Sequence, residues 1–159
     1  MEIKLYDDFV SVANEVLKKE VKAEAKKGRV SICRTPFAGN DINVLVGVTG
    51  NIEGVVIYGM SNQTALAMAS IMMEEEFHKV DEMVLSGIAE LGNVITGLVS
   101  KEIEQKGYTI DLSPPTLIVG KGTSISSPNI QRIVVPLTTE HGALEVNISL
   151  RERQSKGGR

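Results

Sequence analysis

A single cysteine, Cys33, is all the thiol in this chain of 159 residues, so no intrachain disulfide and no cysteine metal cluster can form. A reducing compartment fits that usage. With no acid–base partner near it in sequence, Cys33 reads as a buried thiol, not a nucleophile. Histidine is almost as scarce: His78 and His141 stand far apart in loop-like sequence and match no zinc spacing. Metal catalysis by this chain alone is not expected. The start of the chain, Met1-Glu-Ile-Lys-Leu-Tyr-Asp-Asp8, lacks the apolar run of a signal peptide. No apolar run of about 18 residues is seen for a membrane span, so a soluble, cytoplasmic protein is expected. Charge of one sign is lacking too. The formal net charge is -3, which provides no electrostatic reason to expect nucleic acid or an anionic membrane as partner. The lysines at 18–19 and 22–27 read as a solvated helix end and loop.

What is present is a core. With 42% hydrophobic and 23% charged residues, the chain reads as one globular domain over residues 1–150, followed by a polar tail over 151–159. Phe9, Val10, Ala13, Val16 and Leu17 are spaced for one face of a helix over residues 5–20. Three β-branched segments follow, over 29–34, 42–49 and 54–59, with Thr49-Gly-Asn-Ile-Glu-Gly54 as a hairpin connection. Ser61 is placed to cap a second helix, which runs from Thr64 to Met73 and is apolar nearly all round.

The most strongly specified stretch runs from Asp81 to Gly107. Val84, Ile88, Leu91, Ile95 and Leu98 recur at three- and four-residue spacing, so at about 100° per residue they form one stripe facing a core. Asp81 and Glu82 mark its start; Lys101, Lys106 and Gly107 mark its end. Ser86, Glu90, Asn93 and Gly97 share the same spacing and point about 150° away from that stripe. Three interior glycines, Gly87, Gly92 and Gly97, each cost roughly 1 kcal/mol relative to Ala in a helix. Close approach of a neighbouring backbone would account for Gly87 and Gly92, and an unobstructed path to Asn93 for Gly97.

After Gly107 the order returns, with strands over 116–125, 130–137 and 143–150 and turns at Ser127-Pro-Asn129 and Thr139-Glu-His-Gly142. Pro114 and Pro115 shape the start of the first of these strands. A helix followed by three strands therefore occurs twice. The expected fold is α+β: six largely antiparallel strands with three helices on one face, in two pseudo-duplicated halves. Laying the first helix on the third puts Asp7, Ser11 and Asn14 in the places of Ser86, Glu90 and Asn93. Gly120-Lys-Gly-Thr-Ser124 lacks the first glycine, spacing and following helix of a phosphate-binding loop, and reads as a strand-end loop.

The pattern Ser86-x-x-x-Glu90-x-x-Asn93, followed about twenty residues later by Ser113-Pro-Pro-Thr116, resembles the signature of the CheC/CheX/FliY phosphatases of bacterial chemotaxis. The resemblance extends to Thr49-Gly-Asn-Ile-Glu-Gly-Val-Val-Ile-Tyr58, Thr64-Ala-Leu66 and Ala89-Glu-Leu-Gly-Asn93, in the right order along nearly the whole chain. CheC-like members usually carry the acid-and-amide motif twice, whereas Ser11 stands here where the first acid would be, which argues for the CheX side. The resemblance implies a CheC-like fold and a phosphatase acting on the aspartyl phosphate of CheY or a CheY-like response regulator. Asn93 would orient the hydrolytic water, Glu90 would dock to a regulator lysine, and Ser86 and Gly97 would support the partner-facing surface. It implies no cofactor on this chain, Mg²⁺ on the regulator, and a homodimer formed through sheet edges. A non-catalytic scaffold, of the flagellar-switch kind and binding a regulator, is the alternative, because fold alone does not give activity.

Overall fold

In the computed structural model, residues 3–34, 37–122, 124–125 and 131–153 are described. In chain order they form α1 (Ile3–Glu20), β1 (Lys26–Lys27), β2 (Ser31–Cys33), β3 (Phe37–Ala38), β4 (Ile42–Gly50), β5 (Ile52–Met60), α2 (Asn62–Met72) and α3 (Glu82–Gln105). The chain continues through β6 (Ile110–Leu112), β7 (Thr116–Val119), β8 (Ser124–Ile125), β9 (Arg132–Thr139) and β10 (Gly142–Glu152).

The main sheet has eight strands, not six, and every pairing in it is antiparallel. Its centre is the ladder β9-β10-β5-β4, built from two hairpins whose inner strands pair with each other. Val44, Tyr58, Val146 and Val135 line up across those four strands. All four are buried, and all three helices pack side chains into the same core, among them Phe9, Leu17, Met68, Ile88 and Ile95. The helices therefore cover one face, as the alternating apolar pattern of the strands requires.

The duplication is real and longer than expected. A helix followed by five strands occurs twice, α1 with β1 to β5 and α3 with β6 to β10, with α2 between. Each half lends its short strands to the other half: β1 and β2 pair with β9, β6 and β7 pair with β4, and β3 pairs with β8 in a separate two-stranded sheet. Strands of two to four residues carry no readable period, so β1, β3 and β6 were invisible to pattern reading. The Lys26–Lys27 segment expected as loop is an exposed edge pairing on β9. The strand expected over 29–34 shrinks to Ser31–Cys33, where Cys33 is half-buried.

The long strand expected over 116–125 is broken. Gly120 and Gly122 take φ of +114° and +90°, a turn that divides β7 from β8 and sends them into different sheets. The turn expected at Ser127-Pro-Asn129 lies outside the described residues. The polar tail begins later than residue 151: β10 runs on to Glu152 opposite Ile52, and the Arg153 N–H donates to the Asn51 carbonyl at 2.6 Å. Residues 154–159 lie outside the described residues.

Behind the sheet, on the face away from the helices, Arg132 donates to Asn147 Oδ1 at 2.7 Å and lies 5.7 Å from the Phe37 ring centroid. Asn147 in turn donates to Glu145 Oε1 at 3.0 Å, so this face is a polar network beside a buried aromatic.

On the helical face, α3 lies alongside α1, and Lys106 Nζ closes the pair onto Asp8 Oδ2 at 2.7 Å. By length and composition α3 is apolar enough to cross a membrane, contrary to the expectation that no such stretch exists. Its stripe of Val84, Ile88, Leu91, Ile95, Val99 and Ile103 is instead buried in the protein core. Leu98, expected in that stripe, is 39% exposed, whereas Val99 is buried and the small pair Gly92 and Thr96 face Tyr58 on the sheet.

One polar contact is enclosed in this interface. The Tyr58 hydroxyl and Thr96 Oγ1 are 2.7 Å apart and buried, and Thr96 Oγ1 donates to the Gly92 carbonyl at 2.7 Å. With the Thr96 proton committed to Gly92, the Tyr58 hydroxyl is the donor between the two. Burial pushes the Tyr58 phenol well above its usual range, offset in part by the bond to Thr96.

Unequal costs follow from that geometry. Tyr58→Phe should lower the free energy of unfolding by about 1 kcal/mol, whereas Thr96→Val, which strands a buried hydroxyl, should lower it by about 1–3 kcal/mol. The double variant should lose less than the sum, and urea unfolding of the set measures this. Because folding raises the Tyr58 pKa, its contribution is intact below the unfolded value of 10.0 and is lost as pH rises beyond it. Wild type should therefore lose up to about 1.4 kcal/mol per pH unit more than Tyr58→Phe in that range.

Candidate active site

The outward face of α3 is held by its two ends and by its buried stripe. Asp81 caps the start, with Oδ1 accepting from the Val84 N–H at 3.0 Å. Gly107, at φ +99°, takes the left-handed position just past the end. The four outward positions read from sequence all lie on this face. Ser86 and Glu90 are exposed, and Asn93 and Gly97 are partly exposed.

Glu90 and Asn93 are brought together. The Asn93 Nδ2 donates to Glu90 Oε1 at 3.4 Å, a long bond at a wet surface. Such a bond aligns the two groups yet is cheap to exchange for a partner's, since exposed polar contacts contribute little net free energy. Ser86 stands one turn before Glu90, about 40° round the helix, and Gly97 one turn beyond Asn93. Met83, 55% exposed, begins the same strip two turns before Glu90; pattern reading passed over it because a lone methionine beside a capping acid has no distinctive signal.

The three interior glycines turn out to differ. At Gly92 an added Cβ would lie 3.0 Å from Val44 Cγ1 and 3.1 Å from Tyr58 Cδ2, so the helix presses directly on the sheet there. At Gly87 the added atom would run into the end of the Met73 side chain. Both neighbours are side chains and not the neighbouring backbone expected from sequence. At Gly97 nothing lies within 4 Å.

The supports behind the pair were also missed. Gly92 immediately precedes Asn93, and Tyr58 and Thr96 tie its carbonyl and its turn of helix to β5. A tyrosine in an apolar strand and a threonine in a helix each looked like ordinary core. Ser113, read as part of the motif, serves the sheet: its Oγ accepts from the Gly47 N–H at 2.8 Å and its own N–H donates to the Gly47 carbonyl at 2.9 Å. Ser113 to Pro115 thus carries the chain along β4 from β6 to β7.

The chemistry on offer is limited and specific. A carboxylate accepts only, and is suited to a cationic partner group; a carboxamide both donates and accepts, and is suited to holding a water at a set angle. Among the described residues, no three His, Cys, Asp or Glu side chains are grouped so as to hold a metal ion.

Comparison with known proteins places the chain in a family. The family model described as "Chemotaxis phosphatase CheX" matches residues 42–138. The CheY-P phosphatase CheX of Thermotoga maritima is 32% identical over 128 residues, covering 80% of this chain and 83% of its own. Among solved structures, a CheC-like superfamily protein from Shewanella sp. PV-4 superposes with a TM-score of 0.86 at 25% identity, covering 95% of this chain and 99% of that one. A chain of the CheX–CheY–BeF3–Mg²⁺ complex from Borrelia burgdorferi superposes with a TM-score of 0.81 at 30% identity, covering 95% and 100%. With the family model matched over residues 42–138 and a curated CheX relative 32% identical over 80% of this chain, the chain belongs to the CheX family of chemotaxis phosphatases.

Proposed function

We propose that this chain hydrolyses the aspartyl phosphate of CheY or a CheY-like response regulator, with Asn93 holding the attacking water in line and Glu90 docking to a lysine of the regulator. The observation that carries this reading is the pairing of Glu90 and Asn93, 3.4 Å apart, on the outward face of a helix whose other face is locked into the core. The Thermotoga maritima relative is a CheY-P phosphatase, and a related chain forms a complex with CheY, BeF3 and Mg²⁺.

Phosphoryl transfer passes through a loose transition state that asks little covalent work of the enzyme, so placing the nucleophile supplies much of the rate. The water oxygen attacks phosphorus as the bond to the regulator aspartate breaks. The aspartate leaves as carboxylate with the bonding pair, and the water proton ends on the released phosphate. Asn93 contributes by accepting from that water and donating to a neighbouring oxygen. Mg²⁺ belongs to the regulator and is not bound by this chain. Ser86 supports the docking face beside Glu90. Action in the cytoplasm follows from the partner, and a homodimer through a sheet edge is part of the same reading, although β7 offers only Thr116–Val119 to such a pairing.

Two substitutions separate chemistry from docking. With phosphorylated regulator in excess, Asn93→Ala should lower the rate of phosphate release by about 10²-fold or more. Glu90→Ala should chiefly weaken affinity, read as a raised Kd by titration. Equal turnover by wild type and Asn93→Ala would remove the catalytic role of the amide, and no phosphate release above the regulator's own rate by either protein would favour a non-catalytic scaffold.

A further inference from the structure

Among the described residues, nothing accounts for glycine at position 97. Gly92 is pressed by Val44 and Tyr58, and Gly87 by Met73, but a side chain at 97 would meet open space. A mid-helix glycine with nothing near it destabilises α3 and leaves a gap in the surface. That gap is in line with the candidate site. Met83, Glu90 and Gly97 recur at seven-residue steps, so all three lie on one strip, and Gly97 is about 6 Å along the axis from Asn93. A standard protein interface covers about 800 Å² on each partner, a patch some 30 Å across. A partner domain of that size centred on Asn93 also covers Gly97.

We infer that Gly97 is a close-approach window: the regulator's main chain seats directly against the α3 backbone there, so that the footprint continues past Asn93 toward the end of the helix. This rests on the reading of Glu90 and Asn93 as the docking face. The occupant is the phosphorylated regulator, because the window adjoins the residues proposed to reach its phosphate. A methyl group at 97 would be harmless to the isolated chain and would hold the partner off the helix.

The inference makes stability and binding move in opposite directions. Gly97→Ala should raise the thermal midpoint by a few degrees, since only helix propensity changes in the free chain. The same substitution should weaken binding of beryllofluoride-activated regulator about tenfold, and Gly97→Leu should weaken it further. Unchanged affinity in both variants would overturn the inference, and so would a lowered midpoint for Gly97→Ala, which would reveal an internal role for the glycine. Asn93→Ala, measured alongside, keeps the two readings apart. Normal binding by the Gly97 variants with loss of turnover in Asn93→Ala overturns only the window. Lost binding in the Gly97 variants with normal turnover in Asn93→Ala leaves the window standing and removes the catalytic role of the amide.

Discussion

The rest of the structure depends on how closely α3 lies on the sheet at Gly92. There the helix has no side chain, and Val44 and Tyr58 fill the space to within about 3 Å of where a Cβ would be. A larger residue would lift the helix or rotate it. The Tyr58 hydroxyl, Thr96 Oγ1 and the Gly92 carbonyl then form a buried relay that fixes the same turn in rotation as well as height. Two buried hydroxyls left unpaired would be costly, so the relay specifies one register and disfavours its neighbours. Since Asn93 follows Gly92 directly, fixing that turn fixes the direction in which the amide points. The outward face of α3 is thus set from behind, by apolar contact and one enclosed polar relay.

The exchanged topology makes each half of the chain depend on the other. Each half donates its short strands to the other half's hairpin, so neither half completes a sheet alone. The two long helices lie together above, joined by Lys106 and Asp8. Their outward faces are not equivalent. On α1 the acid position is Ser11, and Asn14 has its Oδ1 buried without a hydrogen-bond partner among the described residues. On α3 the amide nitrogen of Asn93 reaches an exposed carboxylate. Duplication built the frame twice; the pair of side chains needed for the proposed chemistry stands on one copy.

Much of this was legible in the residues. The long period of α3, its Asp81 cap and its Gly107 terminus read correctly because each is a local signal repeated over many residues. The Ser61 cap of α2 read correctly for the same reason, with its Oγ accepting from the Thr64 N–H at 3.1 Å. Alternation exposed the two long hairpins. What escaped were features set by tertiary contact: strands of two to four residues paired across the duplication, the break at Gly120 and Gly122, and the exposure of Leu98. A wheel drawn on residue type assigned Leu98 to the core, but Thr96 faces the sheet because Tyr58 offers it a partner. Glu90 and Asn93 stand out in the sequence by spacing and family resemblance; Tyr58 and Thr96, which anchor the adjacent Gly92 turn, have no signature of their own.

On the proposed reading, α3 presents Asn93 to the phosphate of a docked regulator. A structure of this chain bound to a regulator carrying beryllofluoride and Mg²⁺ tests it most directly. The Asn93 carboxamide should lie within about 3 Å of the water position in line with the acyl-phosphate mimic, with Glu90 against a regulator lysine. A complex in which α3 faces away from the beryllofluoride, with Asn93 in solvent, would contradict it.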